Sequence, residues 1–179
     1  MYEWYGLKKK SPTVGCFMFA DDYIKFISNL KYYLSLEIEM HISKESKHFD
    51  KLVEYNSTEA PIGFLDDIEV IMLHYKDPQI AKEKWERRKK RINWDNLIIK
   101  FSYMNECTQQ MLKEFDNMEL DILNIKKIMF IKNPDNTLKC GVYFPGFEDS
   151  RQIINDTYFF NKYFNLDKFI NEGDIERRN

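Results

Sequence analysis

The sequence predicts an α/β fold, and more specifically a three-layer α/β/α domain with a mixed, mainly parallel sheet. Short apolar runs of strand length alternate with longer segments in which apolar residues recur at helical spacing. Aromatic residues make up 16% of the 179 residues, which favours a packed globular core over a disordered chain. The length is that of one domain, so we expect residues 1–179 to form a single α/β domain with a charged tail at residues 171–179.

The first predicted elements are a strand and the helix that follows it. Residues 13–19 are apolar and predict the strand. Asp21 or Asp22 is placed to cap a helix that runs to about Ser35. Apolar residues at spacings of three and four give this helix one buried face.

A less regular stretch comes next. Residues 37–42 alternate weakly between polar and apolar side chains, which indicates an edge strand. Residues 43–60 are polar and include His48 and Asp50, so we interpret them as an excursion or a short hairpin over the surface.

Residues 68–73 form the strand around which the predicted fold is organised. Apart from Glu69 this run is apolar on both faces, which indicates a central strand covered on both sides. Asp77 and Pro78 then predict the N-cap and the first residue of a helix. Aspartate caps well, and proline lacks only an N–H that the first helical turn leaves unused.

Arg88 has two interpretations on this helix. It falls on the apolar stripe formed by Ala81, Trp85 and Ile92. Its side chain either snorkels at the edge of a solvated basic face, or reaches inward to a carboxylate or a ligand phosphate. The second interpretation rests on the planar guanidinium, which binds such groups through two parallel hydrogen bonds.

The second half of the chain continues the alternation. Residues 96–103 and 127–131 predict strands, and Asn105 is placed to cap the helix between them. Residues 138–144 follow a turn and are interpreted as an antiparallel hairpin partner at the sheet edge. Residues 156–170 are rich in phenylalanine and tyrosine, which indicates one or two short packing helices.

Composition excludes several classes of protein. The formal net charge is −2, whereas a general nucleic-acid-binding protein is normally basic, so we expect no nucleic-acid partner. The 3 cysteines are widely spaced without a CxxC pair, which indicates a reducing cytoplasm rather than a disulfide framework or a zinc site. Apolar runs are short, so we expect neither a transmembrane segment nor a secretory signal.

Candidate site residues follow from the rule that ligands of an open α/β sheet bind beyond the carboxyl ends of its strands. Polar residues near these strand ends are Asp21, His74, Tyr75, Ser102 and Lys132. Such a mixture suits a polar or phosphate-bearing ligand. His74 is either a structural histidine or a general base, and Asp21 is either a helix cap or a ligand-binding group.

An acidic cluster lies at the start of the organising strand. Asp66, Asp67 and Glu69 could bind a divalent ion through their carboxylates. Alternatively, Asp67 or Glu69, which share one face of the strand, pairs with a basic residue. The chain contains no P-loop, GxGxxG, GxSxG or HExxH motif, so no motif defines a reaction or a particular cofactor.

Several segments resemble one family of bacterial proteins. They are DDYIKF at residues 21–26, PIGFLDDIEVIMLHY at residues 61–75, AKEKWERRKKRINWDNL at residues 81–97 and YFPGFED at residues 143–149. These segments are similar to the proteins grouped as domain of unknown function 1919, which are commonly labelled exopolysaccharide-biosynthesis proteins. The resemblance covers nearly the whole chain and implies a three-layer α/β/α domain with a mixed sheet.

The resemblance implies a cytoplasmic transferase-like protein of surface polysaccharide synthesis that acts on an activated, phosphate-bearing sugar precursor by glycosyl or acyl transfer. Together with the polar strand ends, it assigns catalytic roles to three residues. His74 is the base, and Asp67 and Glu69 are metal-binding or orienting groups. It assigns substrate binding, including the precursor's phosphate, to Arg88, Tyr75, Lys132, Ser102 and Asp21. The alternative is a non-catalytic scaffold or regulatory protein of the same pathway that docks a partner through the basic helix.

Two departures from the family pattern lead to further expectations. The family usually has Gly at the position of Asp66, whereas Asp67, Glu69 and His74 match it. Family members also usually begin earlier, with a strand that this sequence lacks, so we expect residues 1–7 to be the remnant of the first helix. We then expect an exposed sheet edge that favours self-association, and an inactive copy if the absent segment carries site residues.

Overall fold

A computed structural model describes residues 5, 6, 8, 10–104, 106–154 and 160–177, and it confirms the α/β class. The chain divides into two compact units: an amino-terminal unit of residues 8–92, and a carboxyl-terminal unit of residues 93–179 together with residues 1–7. Instead of the one mixed sheet that we expected, the described strands form two three-stranded sheets, one antiparallel and one parallel. The single domain and the three layers stay predictions. Within the described ranges, no helix is long and apolar enough to cross a membrane.

The amino-terminal unit combines helices with an antiparallel sheet in the order β1-β2-β3. Its strands are β1 (Glu39–His41), β2 (Ile62–Leu65) and β3 (Ile68–Ile71). Its helices are α1 (Ala20–Ser28), α2 (Leu30–Ser35), α3 (Phe49–Glu54) and α4 (Pro78–Lys89). Helix α1 contacts β3 and helix α4 contacts β1, so both outer strands of the sheet carry a helix.

Strand β3 is buried along its whole length, but the prediction that it is a central strand is wrong. It pairs with β2 in a hairpin whose turn residues are Asp66 and Asp67, and β2 was not predicted from the sequence. On the other side, Ile71 exchanges two hydrogen bonds of 2.8 Å with Phe17, in an isolated bridge. Strand β3 is thus an outer strand of its sheet: α1 packs against it, and the bridge to Phe17 covers its outer edge at Ile71.

The strand predicted at residues 13–19 is reduced to the bridge at Phe17. The chain turns at residues 12–15, where Gly15 adopts a φ of 84°. This left-handed conformation favours glycine and interrupts an extended segment, so only a short contact with β3 remains.

Helices α1 and α2 occupy the region predicted as one helix, and the helix breaks at Asn29. The prediction that Asp21 or Asp22 caps α1 is wrong, since the N-cap residue is Phe19 and no side chain caps the helix. Both aspartates lie in the first turn, with Asp21 exposed and Asp22 buried. Their side chains are therefore available for contacts other than capping.

Residues 43–60 are not the surface excursion that we expected. They contain a 3₁₀ turn at Ser43–Glu45 and helix α3, and His48 is buried between these two elements. The hydroxyl of Ser43 donates a hydrogen bond to the carbonyl of Thr58 at 2.6 Å, which holds the two ends of the segment together. Polar side chains of this segment, such as those of Ser43 and His48, thus form hydrogen bonds to other groups of the amino-terminal unit.

Helix α4 begins where the sequence predicts. The carboxylate of Asp77 accepts a hydrogen bond from the N–H of Ile80 at 3.0 Å, and Pro78 occupies the first turn. Ala81 and Trp85 are each 1% exposed, which confirms the buried stripe at these two positions. Ile92, predicted on the same stripe, lies beyond the end of α4 and is half-buried.

The carboxyl-terminal unit contains a parallel sheet in the order β4-β5-β6. Its strands are β4 (Ile98–Ser102), β5 (Lys126–Ile131) and β6 (Gly141–Tyr143). Its helices are α5 (Gln109–Asn117), α6 (Phe160–Tyr163) and α7 (Leu166–Glu172). Because the three strands are parallel, their carboxyl ends meet at one edge of the sheet. The core on one side is aromatic and includes Phe130, Phe144, Phe164 and Phe169.

The prediction that residues 138–144 form an antiparallel hairpin is wrong, because β6 pairs with β5 in parallel. The buried carboxylate of Asp116 accepts hydrogen bonds from the N–H groups of Lys139, at 3.1 Å, and Cys140, at 2.8 Å. These bonds fix the backbone just before β6, and Gly141 is the first residue in register with β5.

The cap of helix α5 is Thr108, whose hydroxyl accepts a hydrogen bond from the N–H of Met111 at 3.2 Å. The predicted cap, Asn105, lies outside the described residues, as do residues 155–159 and most of the helix remnant expected at residues 1–7. Near the carboxyl terminus, Arg177 donates from Nε to the carbonyl of Gly141 at 2.9 Å, which ties the end of the described chain to β6.

Candidate functional site

A cleft of about 340 Å³ lies at the carboxyl ends of β4 and β5 in the carboxyl-terminal unit. Tyr103 directly follows β4, and Lys132 directly follows β5. Ligands of parallel α/β sheets bind at this end of the strands, and small-molecule sites begin at about 300 Å³. The polar residues that line the cleft are Tyr103, Gln109, Lys132, Asn133 and Asp135.

The ammonium group of Lys132 is held in a fixed position beside the cleft. Its Nζ donates a hydrogen bond to the carbonyl of Ser150 at 3.0 Å and lies 4.7 Å from the centre of the Tyr103 ring. A lysine ammonium has three N–H donors, so others stay available for a bound anion. The sequence predicted Lys132 as an anion-binding residue, and the structure places it in the lining of this cleft.

Helix α5 begins at Gln109, in the wall of the same cleft. The side-chain amide of Gln109 donates to the carboxylate of Asp135 at 2.6 Å, and Asp135 also accepts from the N–H and the hydroxyl of Thr137. The Thr137 hydrogen bonds, aided by Gln109, hold the pKa of the Asp135 carboxyl below its ordinary value. The wall thus combines the positive end of a helix dipole with one ionised carboxylate.

Cys107 lines the cleft but is not suited to nucleophilic chemistry. Burial raises the pKa of its thiol to about 12, so the thiolate is scarce at neutral pH. The predicted residue Ser102 ends β4, one residue before Tyr103, and pairs with Phe130 in the sheet register. Ser102 is not among the lining residues.

The other predicted site residues lie in the amino-terminal unit. His74 is exposed, and its backbone N–H bonds to the carbonyl of Gly15 at 3.3 Å. Arg88 reaches inward, but its Nη1 donates to the carbonyl of Val14 at 2.7 Å and to the hydroxyl of Tyr75 at 2.8 Å. The partners of this guanidinium are therefore protein groups that fix the chain before Phe17, and neither is a carboxylate.

The acidic cluster divides among different partners. Asp67 forms an ion pair with Lys25 and accepts from the Tyr33 hydroxyl at 2.8 Å, and these two contacts lower the pKa of Asp67. Asp66 accepts from the Tyr32 hydroxyl at 2.8 Å. The ion pair with Lys25 agrees with the interpretation that Asp67 pairs with a basic residue, whereas Asp66 bonds to a tyrosine hydroxyl of α2.

Glu69 is 2% exposed and fixes the segment before α3. Its Oε1 accepts from the N–H of Lys47 at 2.8 Å, and its Oε2 accepts from the hydroxyl of Ser46. Both carboxylate oxygens are thus occupied inside the protein. The contacts of Glu69 are those of a structural anchor that positions residues 46–48.

Asp22 and His48 form a second polar group in the amino-terminal unit, and their pairing was not predicted from the sequence. Nε2 of His48 lies 2.8 Å from Oδ2 of Asp22, and Nζ of Lys47 lies 2.5 Å from Oδ1. His48 is 7% exposed and Asp22 is 1% exposed. The Phe19 ring packs against the imidazole of His48, and the two ring centres are 4.1 Å apart. No spacing in the sequence relates residue 22 to residue 48, so only the fold brings them together.

The fold and the cleft define an α/β protein with a potential ligand site at the carboxyl ends of a parallel sheet. The chain belongs to the family described as Domain of unknown function (DUF1919), which matches residues 1–176 and confirms the resemblance found in the sequence. It is also similar to a protein of Haemophilus influenzae named "Uncharacterized protein", with 27% identity over 143 residues. That alignment covers 80% of this chain and 61% of the relative, so the chain spans less than two thirds of the relative's length.

Proposed function

We propose that this is a cytoplasmic, transferase-like protein of surface polysaccharide synthesis that binds an activated, phosphate-bearing sugar precursor. The precursor occupies the cleft at the carboxyl ends of β4 and β5. The observation that carries the proposal is the ammonium of Lys132, oriented beside a cleft of about 340 Å³.

The phosphate of the precursor binds at Lys132. The Tyr103 ring and the Ser150 carbonyl limit the motion of this ammonium, so less conformational entropy is lost when it binds an anion. The amino end of α5 adds a favourable dipole on the same cleft. Two features of the cavity thus favour a negatively charged group, and they act against the repulsion of the Asp135 carboxylate in the same wall.

The sugar binds through the remaining polar groups of the cleft. Amide groups of Gln109 and Asn133 donate and accept hydrogen bonds, and the Asp135 carboxylate accepts them, which matches the mixed donors and acceptors of sugar hydroxyls. The lowered pKa of Asp135 makes it a weak base at neutral pH. Transfer therefore relies mainly on binding and orientation of the precursor in this cleft, and the role of His74 as a base stays a prediction.

The proposal is tested by thermal unfolding of the wild-type chain in the presence of a panel of ligands. The panel contains nucleoside diphosphate sugars, sugar 1-phosphates and the same sugars without phosphate. We expect the phosphate-bearing ligands to raise the midpoint of unfolding and the neutral sugars to have little effect. Equal midpoints with all ligands and with none would contradict the proposal.

A second function, a non-catalytic scaffold or regulator of the same pathway, is favoured by the surface of helix α4. Arg87, Lys90 and Arg91 are exposed at its carboxyl end, whereas Arg88 is bound within the protein. This basic surface would dock an acidic partner. Charge reversal by Arg87→Glu and Lys90→Glu should then abolish complex formation with that partner, and His74→Ala should leave it unchanged.

A further inference from the structure

A potential metal site lies in the amino-terminal unit at Asp21, Asp22 and His48. Each residue offers one ligand atom, and these atoms all lie within 4.8 Å of one another. The two aspartates come from the first turn of α1, and the histidine directly precedes α3. The fold therefore brings together ligands that are far apart in the sequence.

The separation of Asp22 and His48 fits ligation of one ion. Two ligands at right angles, each about 2.1 Å from an ion, lie about 3.0 Å apart, and opposite ligands lie about 4.2 Å apart. Nε2 of His48 and Oδ2 of Asp22 are 2.8 Å apart, close to the first value. Asp21 is exposed at the surface, so rotation of its side chain can bring its carboxylate to the same ion.

The surroundings hold the two buried ligands in position. Lys47 binds the other carboxylate oxygen of Asp22 at 2.5 Å, which leaves Oδ2 directed at His48. The ring of Phe19 packs on the imidazole of His48. Contacts of this kind around a ligand fix its orientation, and they distinguish this group from an ordinary cluster of surface carboxylates.

We propose that Asp21, Asp22 and His48 bind a divalent first-row transition metal ion. An imidazole combined with carboxylates suits Mn²⁺, Fe²⁺, Co²⁺ or Zn²⁺ better than Mg²⁺ or Ca²⁺, which prefer oxygen ligands alone. The ion takes the place of the hydrogen between Nε2 and Oδ2. A neutral His48 then carries its hydrogen on Nδ1, and a protonated His48 releases one proton to solvent. Three protein ligands leave further positions for water on the exposed side of Asp21.

The site is tested with Mn²⁺ and Co²⁺ on the full chain. The protein has 3 histidines, so its imidazole signals in a nuclear magnetic resonance spectrum are few enough to assign by single substitutions. We expect substoichiometric Mn²⁺ to broaden the His48 signal before those of His41 and His74. Co²⁺ should bind with about one equivalent and with a visible spectrum that lacks thiolate bands, because the ligands are nitrogen and oxygen.

Three variants complete the test. Asp21→Asn alters an exposed side chain, so it should fold normally and bind Co²⁺ at least about tenfold more weakly. His48→Gln should abolish binding. His41→Gln is the matched control, because His41 also pairs with a carboxylate, that of Glu45 at 2.6 Å, and it should bind like the wild type.

The proposal is overturned if the wild type binds neither ion, if Mn²⁺ broadens His41 or His74 first, or if Asp21→Asn binds as tightly as the wild type. Asp21→Asn decides the question even if His48→Gln fails to fold. The metal site and the sugar cleft lie in different units and are tested with different ligands. Failure of one proposal therefore leaves the other intact.

Discussion

The carboxylate of Glu69 accepts a hydrogen bond from the backbone N–H of Lys47, with 2.8 Å between Oε1 and the nitrogen. Glu69 lies on β3, and residues 46–48 lead into α3, so this bond joins two elements of the amino-terminal unit. It also fixes the backbone next to His48. Glu69, which the sequence predicted to act in catalysis, thus has the contacts of a structural residue that positions the segment carrying His48.

Replacing this carboxylate should destabilise the protein. Glu69→Ala leaves the buried hydroxyl of Ser46 and the partly buried N–H of Lys47 without their acceptor, so we expect a loss of about 2 kcal/mol in the free energy of unfolding. Urea unfolding measures this loss. The exposed Glu59→Ala is the control and should change little. Equal stability of Glu69→Ala and the wild type would contradict the anchoring role.

The stability of the carboxyl-terminal unit should depend on pH through Asp116. Burial by itself would raise the pKa of this carboxyl, but the N–H groups of Cys140 and Lys139, with nearby Lys127, outweigh burial and lower it. The folded pKa lies below the ordinary value of 3.8, so the stabilisation is complete above that value and is lost as the pH falls through the folded pKa.

We therefore expect Asp116→Asn to be less stable than the wild type at neutral pH, and the difference to shrink below about pH 4. Urea unfolding at several pH values measures both effects. Asp149→Asn, an exposed aspartate in the same unit, is the control and should show no comparable loss at neutral pH. A difference between Asp116→Asn and the wild type that persists unchanged at low pH would contradict the assignment.

The turn between β2 and β3 explains a departure from the family pattern. Asp66 has a φ of 56°, a left-handed conformation that glycine adopts without strain and that aspartate tolerates. The family's usual glycine therefore fits this position. We expect Asp66→Gly to fold with nearly wild-type stability, and Asp66→Val to lose about 1–2 kcal/mol, since a branched side chain clashes there. A valine variant as stable as the glycine variant would show that this turn is not strained.

The three thiols should react slowly in the folded protein. Burial raises the pKa values of Cys16, Cys107 and Cys140 to about 12. Alkylation requires the thiolate, so at about pH 7.5 we expect slow labelling of the native chain and rapid labelling in urea. Mass spectrometry counts the labelled thiols. Rapid modification of Cys107 in the folded state would contradict this and would make Cys107 a candidate nucleophile of the cleft.

Local signals in the sequence predicted some parts of the structure correctly. Asp77 followed by Pro78 is a helix start that depends only on neighbouring residues, and the structure confirms it. The rule for strand ends selected Lys132 because β5 is a clear apolar run, and Lys132 does line a cleft. Where a prediction needed only the residues around one position, the sequence was sufficient.

Long-range contacts could not be predicted in the same way. Strand β6 pairs with β5 in parallel, and the Asp116 carboxylate binds the chain just before β6, 23 and 24 residues away in sequence. The turn motif before β6 suggested a hairpin instead. Asp22 and His48 pair across 26 residues, and each was assigned to a cap or to a surface loop from its neighbours alone. Two of the residues that best fit a metal site were therefore missed.

The measurement that tests the proposed function most directly is calorimetric titration of a nucleoside diphosphate sugar into the wild type, Lys132→Ala and Lys139→Ala. Lys139 is exposed in the same unit and does not line the cleft, so its variant controls for the loss of one positive charge. We expect the wild type and Lys139→Ala to bind alike, and Lys132→Ala to bind about tenfold more weakly or worse. Equal affinities of all three proteins, or no binding to any of them, would contradict a phosphate-binding cleft at Lys132.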